Sequence, residues 1–143
     1  VLFDPGTDIA VIRTQGLGAS PLPLDDTEYE RGKDGATLGF PGNQGGRLVT
    51  HPAAVQARYD ANGRDIYGRR EVERSVYELR SPVRQGDSGG PFVLPGGAVA
   101  GVVFAASTTD GRVGYALTGA EVADEVRQGI NSTEPASTGG CTH

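Results

Sequence analysis

An all-β fold, a small antiparallel barrel or sandwich followed by one C-terminal α-helix, is what this sequence predicts, and three observations predict it. Short apolar and β-branched segments recur between turn pairs such as Gly42-Asn43, Asn62-Gly63 and Asp110-Gly111, the pattern of strands joined by hairpins. The 143 residues include 23 glycines and 9 prolines, enough to imply many turns and to disfavour long helices. A single segment, beginning at Thr118, carries a helix start signal. A chain of this length buries roughly 70% of the surface its unfolded form exposes, so it supports one real core but not two full domains.

The elements follow in order. The first strand is expected at Asp8–Thr14, where Ile9, Val11 and Arg13 alternate with Ala10 and Ile12. Gly16 to Lys33 comes next; Pro21 and Pro23 remove backbone donors and fix φ, so this stretch should run extended over the surface as a connector between two structural units. Further strands are expected at Ala36–Phe40, Arg47–Tyr59, Arg70–Arg80, Gly90–Leu94, Ala98–Ser107 and Arg112–Leu117, with Pro95-Gly96-Gly97 turning one hairpin. Thr118 and Glu121 form a T-x-x-E capping box ahead of Val122, Ala123 and Val126 on one helical face, and this helix should end near Gly129. Asn131 to His143, rich in Ser, Thr and Gly, reads as a tail unless Cys141 ties it down.

Charge and length exclude several functions. Thirteen Lys and Arg against 18 Asp and Glu give a net charge of −5, and no basic stripe is present, so a nucleic-acid partner is excluded and a membrane-surface role disfavoured. The longest mainly apolar stretch, Ala98 to Ala106, falls far short of the roughly 20 residues that a membrane-spanning helix needs. Val1, Leu2 and Phe3 open the chain on an apolar run, with neither a start methionine nor a signal-peptide pattern, as expected for a piece of a longer protein. Cys141 is the single cysteine, hence either a free thiol or the partner of a cysteine outside this chain. No metal or cofactor is expected.

The chemistry concentrates in Arg84-Gln85-Gly86-Asp87-Ser88-Gly89-Gly90-Pro91-Phe92. Gly86, Gly89 and Gly90 permit the backbone angles that aim successive N–H groups at one point. The Gly86 and Ser88 N–H groups are candidate donors to a developing oxyanion while the Ser88 hydroxyl attacks a carbonyl carbon, the arrangement of acyl-transfer sites. The competing reading, a flexible turn holding one polar residue, fits poorly between two strands.

Gly86 to Pro91 reads GDSGGP, and this resembles the nucleophile motif of the chymotrypsin-fold serine proteases. Asp8-Ile9-Ala10-Val11-Ile12 resembles the strand that carries the triad aspartate in the bacterial HtrA/Deg branch, and its distance from Ser88 suits that branch. Leu38-Gly39-Phe40-Pro41-Gly42 is similar to the segment opening the second barrel, and Gly114-Tyr115-Ala116-Leu117 to the stretch before the C-terminal helix. The resemblance implies a chymotrypsin-like antiparallel β-barrel: residues 1–15 as the last strand of the N-terminal barrel with the triad aspartate, 16–34 as the inter-barrel linker, 35–130 as the C-terminal barrel, and 131–143 as a tail with Cys141.

It also implies roles. Ser88 is the nucleophile, Asp8 the partner that orients the catalytic histidine, and that histidine lies in an N-terminal barrel upstream of this chain, which would leave the chain inactive alone. Pro82, Val83 and Arg84 match one wall of the substrate pocket. Phe104, Ala105 and Ala106 match the strand that pairs with the substrate main chain. Neither wall carries an acidic residue, so an apolar or uncharged residue is expected before the scissile bond. The protein or peptide substrate and the N-terminal barrel are the implied partners, and loss of that barrel should expose Val1–Phe3 and Ile9–Ile12 and favour self-association. The closest pattern within the branch implies a periplasmic or cell-envelope enzyme of acid-stress resistance, anchored by transmembrane helices absent from this chain, with Cys141 in a disulfide to the missing part.

Alternatives weigh less. An aspartate opening a strand is often only a turn residue. Asp8, His51 and Ser88 stand in the subtilisin order, but that fold needs a parallel sheet with helices. His143 ends the chain, where order is rare. An esterase of the α/β-hydrolase type would need Gly86-Asp87-Ser88-Gly89-Gly90 on a strand-to-helix elbow. Asn131-Ser132-Thr133 matches a glycosylation sequon too common to carry a role. A non-catalytic peptide-binding barrel is the alternative from another functional class.

Overall fold

The computed structural model describes residues 1–42 and 45–139. Two short strands, β1 (Leu2–Asp4) and β2 (Ile9–Val11), form an antiparallel hairpin of their own. Six more close a barrel: β3 (Asp34–Gly39), β4 (Val49–Arg64), β5 (Glu71–Arg80), β6 (Pro91–Val93), β7 (Val99–Ala106) and β8 (Val113–Thr118), in the order β3-β4-β5-β8-β7-β6. Every pairing between these barrel strands is antiparallel. Closure leaves no open sheet edge, which a Gly-rich chain of short strands otherwise exposes. Helix α1 (Gly119–Asn131) follows β8 directly.

The barrel interior is filled by Tyr77, Phe92, Leu79, Ala100 and Ala116, all fully buried. Tyr77 and Phe92 meet edge to face at 6.2 Å, and the Tyr77 hydroxyl leaves the core to accept the Tyr29 N–H at 2.9 Å. The remaining polar pair inside, Thr37 Oγ1 and Ser81 Oγ at 2.7 Å, satisfies itself. A second cluster lies outside the barrel, where Val76, Leu117 and Val122 are covered by Ile9, Leu24, Phe104 and Val126. Through it the hairpin and the helix are fastened to one flank.

Three local expectations change. Asn62-Gly63 is not a turn: both residues lie inside β4, opposite Glu73 and Val72, and the chain reverses at Asp65–Gly68. The Asp65 carboxylate sets that reversal by accepting the Tyr67 and Arg69 N–H groups at 3.2 and 2.8 Å, an Asx-type turn stronger than the Asn-Gly signal. The first strand shrinks to Ile9–Val11, because Asp8 takes φ +62° in the hairpin turn, and Leu2–Asp4, read only as an apolar opening, pairs with it. The capping box is half formed. Thr118 Oγ1 accepts the Glu121 N–H at 3.1 Å, but the Glu121 carboxylate turns to the Ser75 N–H at 2.9 Å on β5, while Thr118 closes β8 opposite Gly101. The helix ends at Asn131, near Gly129 as expected, and there Arg13, distant in sequence, donates to the Ile130 and Ser132 carbonyls at 2.9 and 2.8 Å.

The connector between hairpin and barrel runs along the surface as expected, stitched down at a few points. Asp25 N–H and the Pro23 carbonyl bond the two sides of Val99, both at 2.8 Å, and Gly32 N–H reaches the Val55 carbonyl at 2.8 Å. Gly119 must be glycine here, since a Cβ would stand 2.0 Å from the Asp25 carbonyl oxygen.

Candidate active site

Residues 81–90 join β5 to β6 across one mouth of the barrel, and hydrogen bonds hold the loop from several directions. The Arg84 N–H donates to Asp87 Oδ2 at 2.8 Å and the Asp87 N–H to the Arg84 carbonyl at 3.0 Å, closing a tight turn. Gly90 N–H returns to the Asp87 carbonyl at 2.9 Å, and Gly89 N–H and Gly90 carbonyl both bond Val103 of β7, at 2.7 and 2.8 Å. Gly86 sits at φ +100° and Gly89 at φ +83°, backbone that L side chains rarely adopt.

The consequence for Ser88 is exposure on a fixed backbone. Its side chain is exposed, and Oγ donates to the Phe104 carbonyl of β7 at 3.2 Å. The N–H groups of Gln85, Gly86 and Ser88 have no acceptor among the described residues, whereas those of Arg84, Asp87, Gly89 and Gly90 on the same loop are used; Gly86 and Ser88 are the two expected to face an oxyanion. Two unoccupied donors beside an exposed hydroxyl is an arrangement able to bind an anionic oxygen at an acyl carbon under attack.

A segment read from the sequence only as the end of a strand and the opening of the second barrel proves to be part of this loop's support. Gly39, Phe40, Pro41 and Gly42 pack directly against it: a Cβ on Gly86 would stand 2.6 Å from the Phe40 carbonyl oxygen and 2.8 Å from Gly42 N, and one on Gly39 would meet Asp87 Oδ1 at 2.2 Å. Gly42 N–H donates to the Gln85 carbonyl at 3.2 Å. Asp87 is buried, at 3% exposure, and its Oδ1 has no hydrogen-bond partner among the described residues. Clefts open on both sides of this contact. One of about 610 Å³ is lined by Gly42, Arg84, Gln85 and Gly86, and one of about 410 Å³ by Leu38, Phe40, Leu48, Gly86 and Ser88 among others. Phe40 and Leu48 are each 56% exposed, an apolar rim that sequence pattern did not mark.

The other expected residues fall as follows. Asp8 is exposed in the β1–β2 turn, and its carboxylate makes no hydrogen bond among the described residues. Its neighbour Ile9 packs on the same cluster as Phe104, whose carbonyl holds Ser88, so hairpin and nucleophile loop share one flank of the barrel. Pro82 is half-buried and Arg84 exposed; Val83, at 5% exposure, belongs to the barrel core, its methyls filling the space over Gly114. Phe104 and Ala105 are half-buried and Ala106 exposed at the end of β7. His51 lies on β4 opposite Thr37, with no hydrogen bond to Asp8 or Ser88 among the described residues. Cys141 and His143 lie outside the described residues. Among the described residues no three His, Cys, Asp or Glu side chains gather where they could hold a metal ion, and no helix is long and apolar enough to cross a membrane.

Comparison with known proteins gives the family. The serine proteases Rv3671c and MT3772 of Mycobacterium tuberculosis, strains H37Rv and CDC 1551, are each 40% identical over 142 residues, covering 99% of this chain and 35% of those proteins. The chain thus spans about a third of the length of these relatives. Rv3671c is the serine protease also named MarP. Its active form superposes with a TM-score of 0.90 at 39% identity over 99% of this chain and 61% of that one; an inactive form gives 0.78 at 38% identity over 92% and 66%. The HtrA-type protease AlgW, solved with a decapeptide, gives 0.65 at 26% identity over 89% of this chain and 38% of that one. With residues 1–102 matching the family as well, the chain belongs to the trypsin-like peptidase domain family.

Proposed function

We propose that this chain is the nucleophile-bearing part of a serine endopeptidase that cleaves peptide bonds through an acyl-enzyme. The observation that carries the reading is the pair of unoccupied N–H donors, Gly86 and Ser88, on a braced loop beside the exposed Ser88 hydroxyl. Ser88 Oγ attacks the scissile carbonyl, and its proton passes to a histidine supplied by a barrel N-terminal to Val1. Asp8 accepts from the Nδ1–H of that histidine, fixing its tautomer and stabilising the imidazolium. The oxyanion is held by Gly86 and Ser88 N–H, each such donor lowering the barrier by about 3–4 kcal/mol. Phe104–Ala106 pair with the substrate main chain, and Pro82 and Arg84 border the pocket before the scissile bond, with the Val83 side chain turned into the barrel core between them.

The whole protein, on this reading, sits in the periplasm or cell envelope, held by transmembrane helices outside the chain and serving acid-stress resistance. Residues 1–15 belong to the N-terminal barrel, 16–34 to the linker, 35–130 to the C-terminal barrel and 131–143 to a tail whose Cys141 forms a disulfide with the missing part. Of the residues expected to be uncovered by loss of that part, Val1–Phe3 and Ile9–Ile12, Leu2 is buried and Val1, Phe3, Ile9 and Val11 are half-buried, so the chain self-associates through Ile12 and the neighbouring Ile130, which are 79% and 65% exposed. The second reading, a non-catalytic peptide-binding barrel, is favoured for the isolated chain by the lack of a histidine bonded to Ser88 among the described residues.

A fluorophosphonate probe followed by intact mass tests the assignment on this chain and on the longer polypeptide. Labelling of Ser88 in the longer polypeptide alone is expected. Rapid labelling of the short chain would require a base within it and return attention to His51, while no labelling of either would leave only the binding module.

A further inference from the structure

We propose that the Gly42 N–H is a positioning donor that sets the oxyanion pocket, an inference that rests on the protease reading above. The Gln85–Gly86 peptide is the unit whose orientation decides whether the Gly86 N–H or the Gln85 carbonyl faces a bound substrate. A trans peptide is planar and carries these two groups on opposite sides, so fixing one fixes the other. Gly42 N–H holds the Gln85 carbonyl at 3.2 Å, which turns the Gly86 N–H away from the Phe40–Gly42 segment and leaves it without an acceptor among the described residues. A flipped peptide would aim a carbonyl oxygen at the developing oxyanion, repelling it.

Two further features favour a dedicated brace over a chance contact. Gly86 approaches Phe40 O, Gly42 N and Pro41 Cα so closely that a side chain is excluded there, so the two segments seat against each other along their backbones. The Arg84–Asp87 turn closes the loop on its other side through two reciprocal hydrogen bonds at 2.8 and 3.0 Å. The Gln85–Gly86 peptide is the link between these two anchored points, and the Gly42 hydrogen bond is the contact that selects its face. Gly42 itself lies outside the left-handed region, and a Cβ added to it meets nothing within 4 Å. A methyl there is therefore tolerated, while the N–H is required.

The test compares Gly42→Pro, which deletes the N–H, with Gly42→Ala, which keeps it, in the longer polypeptide that carries the upstream histidine. Gly42→Pro should lower kcat on a peptide substrate, and the affinity of a peptide boronate, by about fivefold, the worth of one net hydrogen bond, with KM unchanged. Gly42→Ala should restore both. Equal activity of the proline variant and parent would overturn the proposal, as would an alanine variant that falls as far as the proline one. If the parent itself neither turns over substrate nor binds the boronate, the protease reading fails and takes this one with it. Amide hydrogen exchange on the parent chain gives an answer independent of activity and of how the proline variant folds. Protection of the Gly42 N–H well above the free-peptide rate is expected, and free-peptide exchange there refutes the brace.

Discussion

Alanine placed at three glycines around the nucleophile loop separates backbone strain from collision, because the structure gives each position a different burden. Gly42 has a conventional φ and open space where a methyl would stand, so Gly42→Ala should be neutral, or slightly stabilising through the unfolded state. Gly89 has φ +83° and open space, so Gly89→Ala bears only the left-handed penalty, about 1–2 kcal/mol. Gly86 has φ +100° and would bring a Cβ within 2.6 Å of the Phe40 carbonyl oxygen and 2.8 Å of Gly42 N, both backbone atoms that a side-chain rotation cannot move. Adding overpacking of roughly 1–3 kcal/mol to the conformational penalty gives about 3–4 kcal/mol for Gly86→Ala. For a domain of this size 1 kcal/mol moves Tm by about 3 °C, so shifts of about 0, −4 and −10 °C are expected in that order. Thermal unfolding by circular dichroism reads the series, and the labelling rate of Ser88 in the longer polypeptide should fall most for Gly86→Ala. A Gly86→Ala variant that melts with Gly89→Ala and labels like the parent would refute the seating of this loop on the Phe40–Gly42 backbone.

Other outcomes follow from contacts elsewhere. Arg13→Ala removes the donor to the Ile130 and Ser132 carbonyls and should cost about 0.5 kcal/mol, with faster hydrogen exchange confined to the last turn of α1. Backbone N–H donation, led by Arg69, holds the Asp65 carboxyl below its ordinary value. Its stabilising effect is thus complete above the unfolded carboxylate pKa and lost as pH falls through the lower folded value; Asp65→Asn should abolish this part of the acid dependence, seen in urea midpoints from about pH 2 to 6. Burial, with Asp4, Glu121 and Asp124 adding like charge, pushes the Glu125 carboxyl up, and Oε2 has no hydrogen-bond partner among the described residues. The folded state therefore holds this proton more tightly than the unfolded one, and Glu125 costs stability at neutral pH that returns on acidification. Glu125→Gln should raise Tm at pH 7 and gain progressively less as pH drops through the carboxylate range; an equal gain at pH 4 and pH 7 would count against it.

The strands, the Pro95-Gly96-Gly97 and Asp110-Gly111 turns, the surface connector and the helix start at Thr118 were legible in the sequence, because each is written by residues close together in the chain; the residues alone left barrel and sandwich open, and the family resemblance implied the barrel that β3 and β6 close. Strand alternation, Pro-fixed φ and a threonine ahead of a helical apolar face act over a few residues and need no distant partner. The left-handed φ values of Gly86 and Gly89 belong to the same class, a local demand, whereas Gly90 is required by the close approach of the Leu38 carbonyl on β3. What tertiary structure decided is wherever two signals competed or a partner arrived from far away. Asn62-Gly63 yielded to Asp65, whose carboxylate organises the reversal further along. Glu121 left the capping box for Ser75 on β5, and the end of the helix took its donor from Arg13. Val83 went into the core because Gly114, on the neighbouring strand β8, leaves a space that its side chain fills. Above all, the contact of Gly42 with Gln85 joins segments with no shared pattern, for a backbone N–H leaves no mark in the residue that carries it. Sequence specifies what each segment can do alone, and only closure of the barrel brings the Phe40–Gly42 and Gln85–Gly86 backbones within hydrogen-bonding reach.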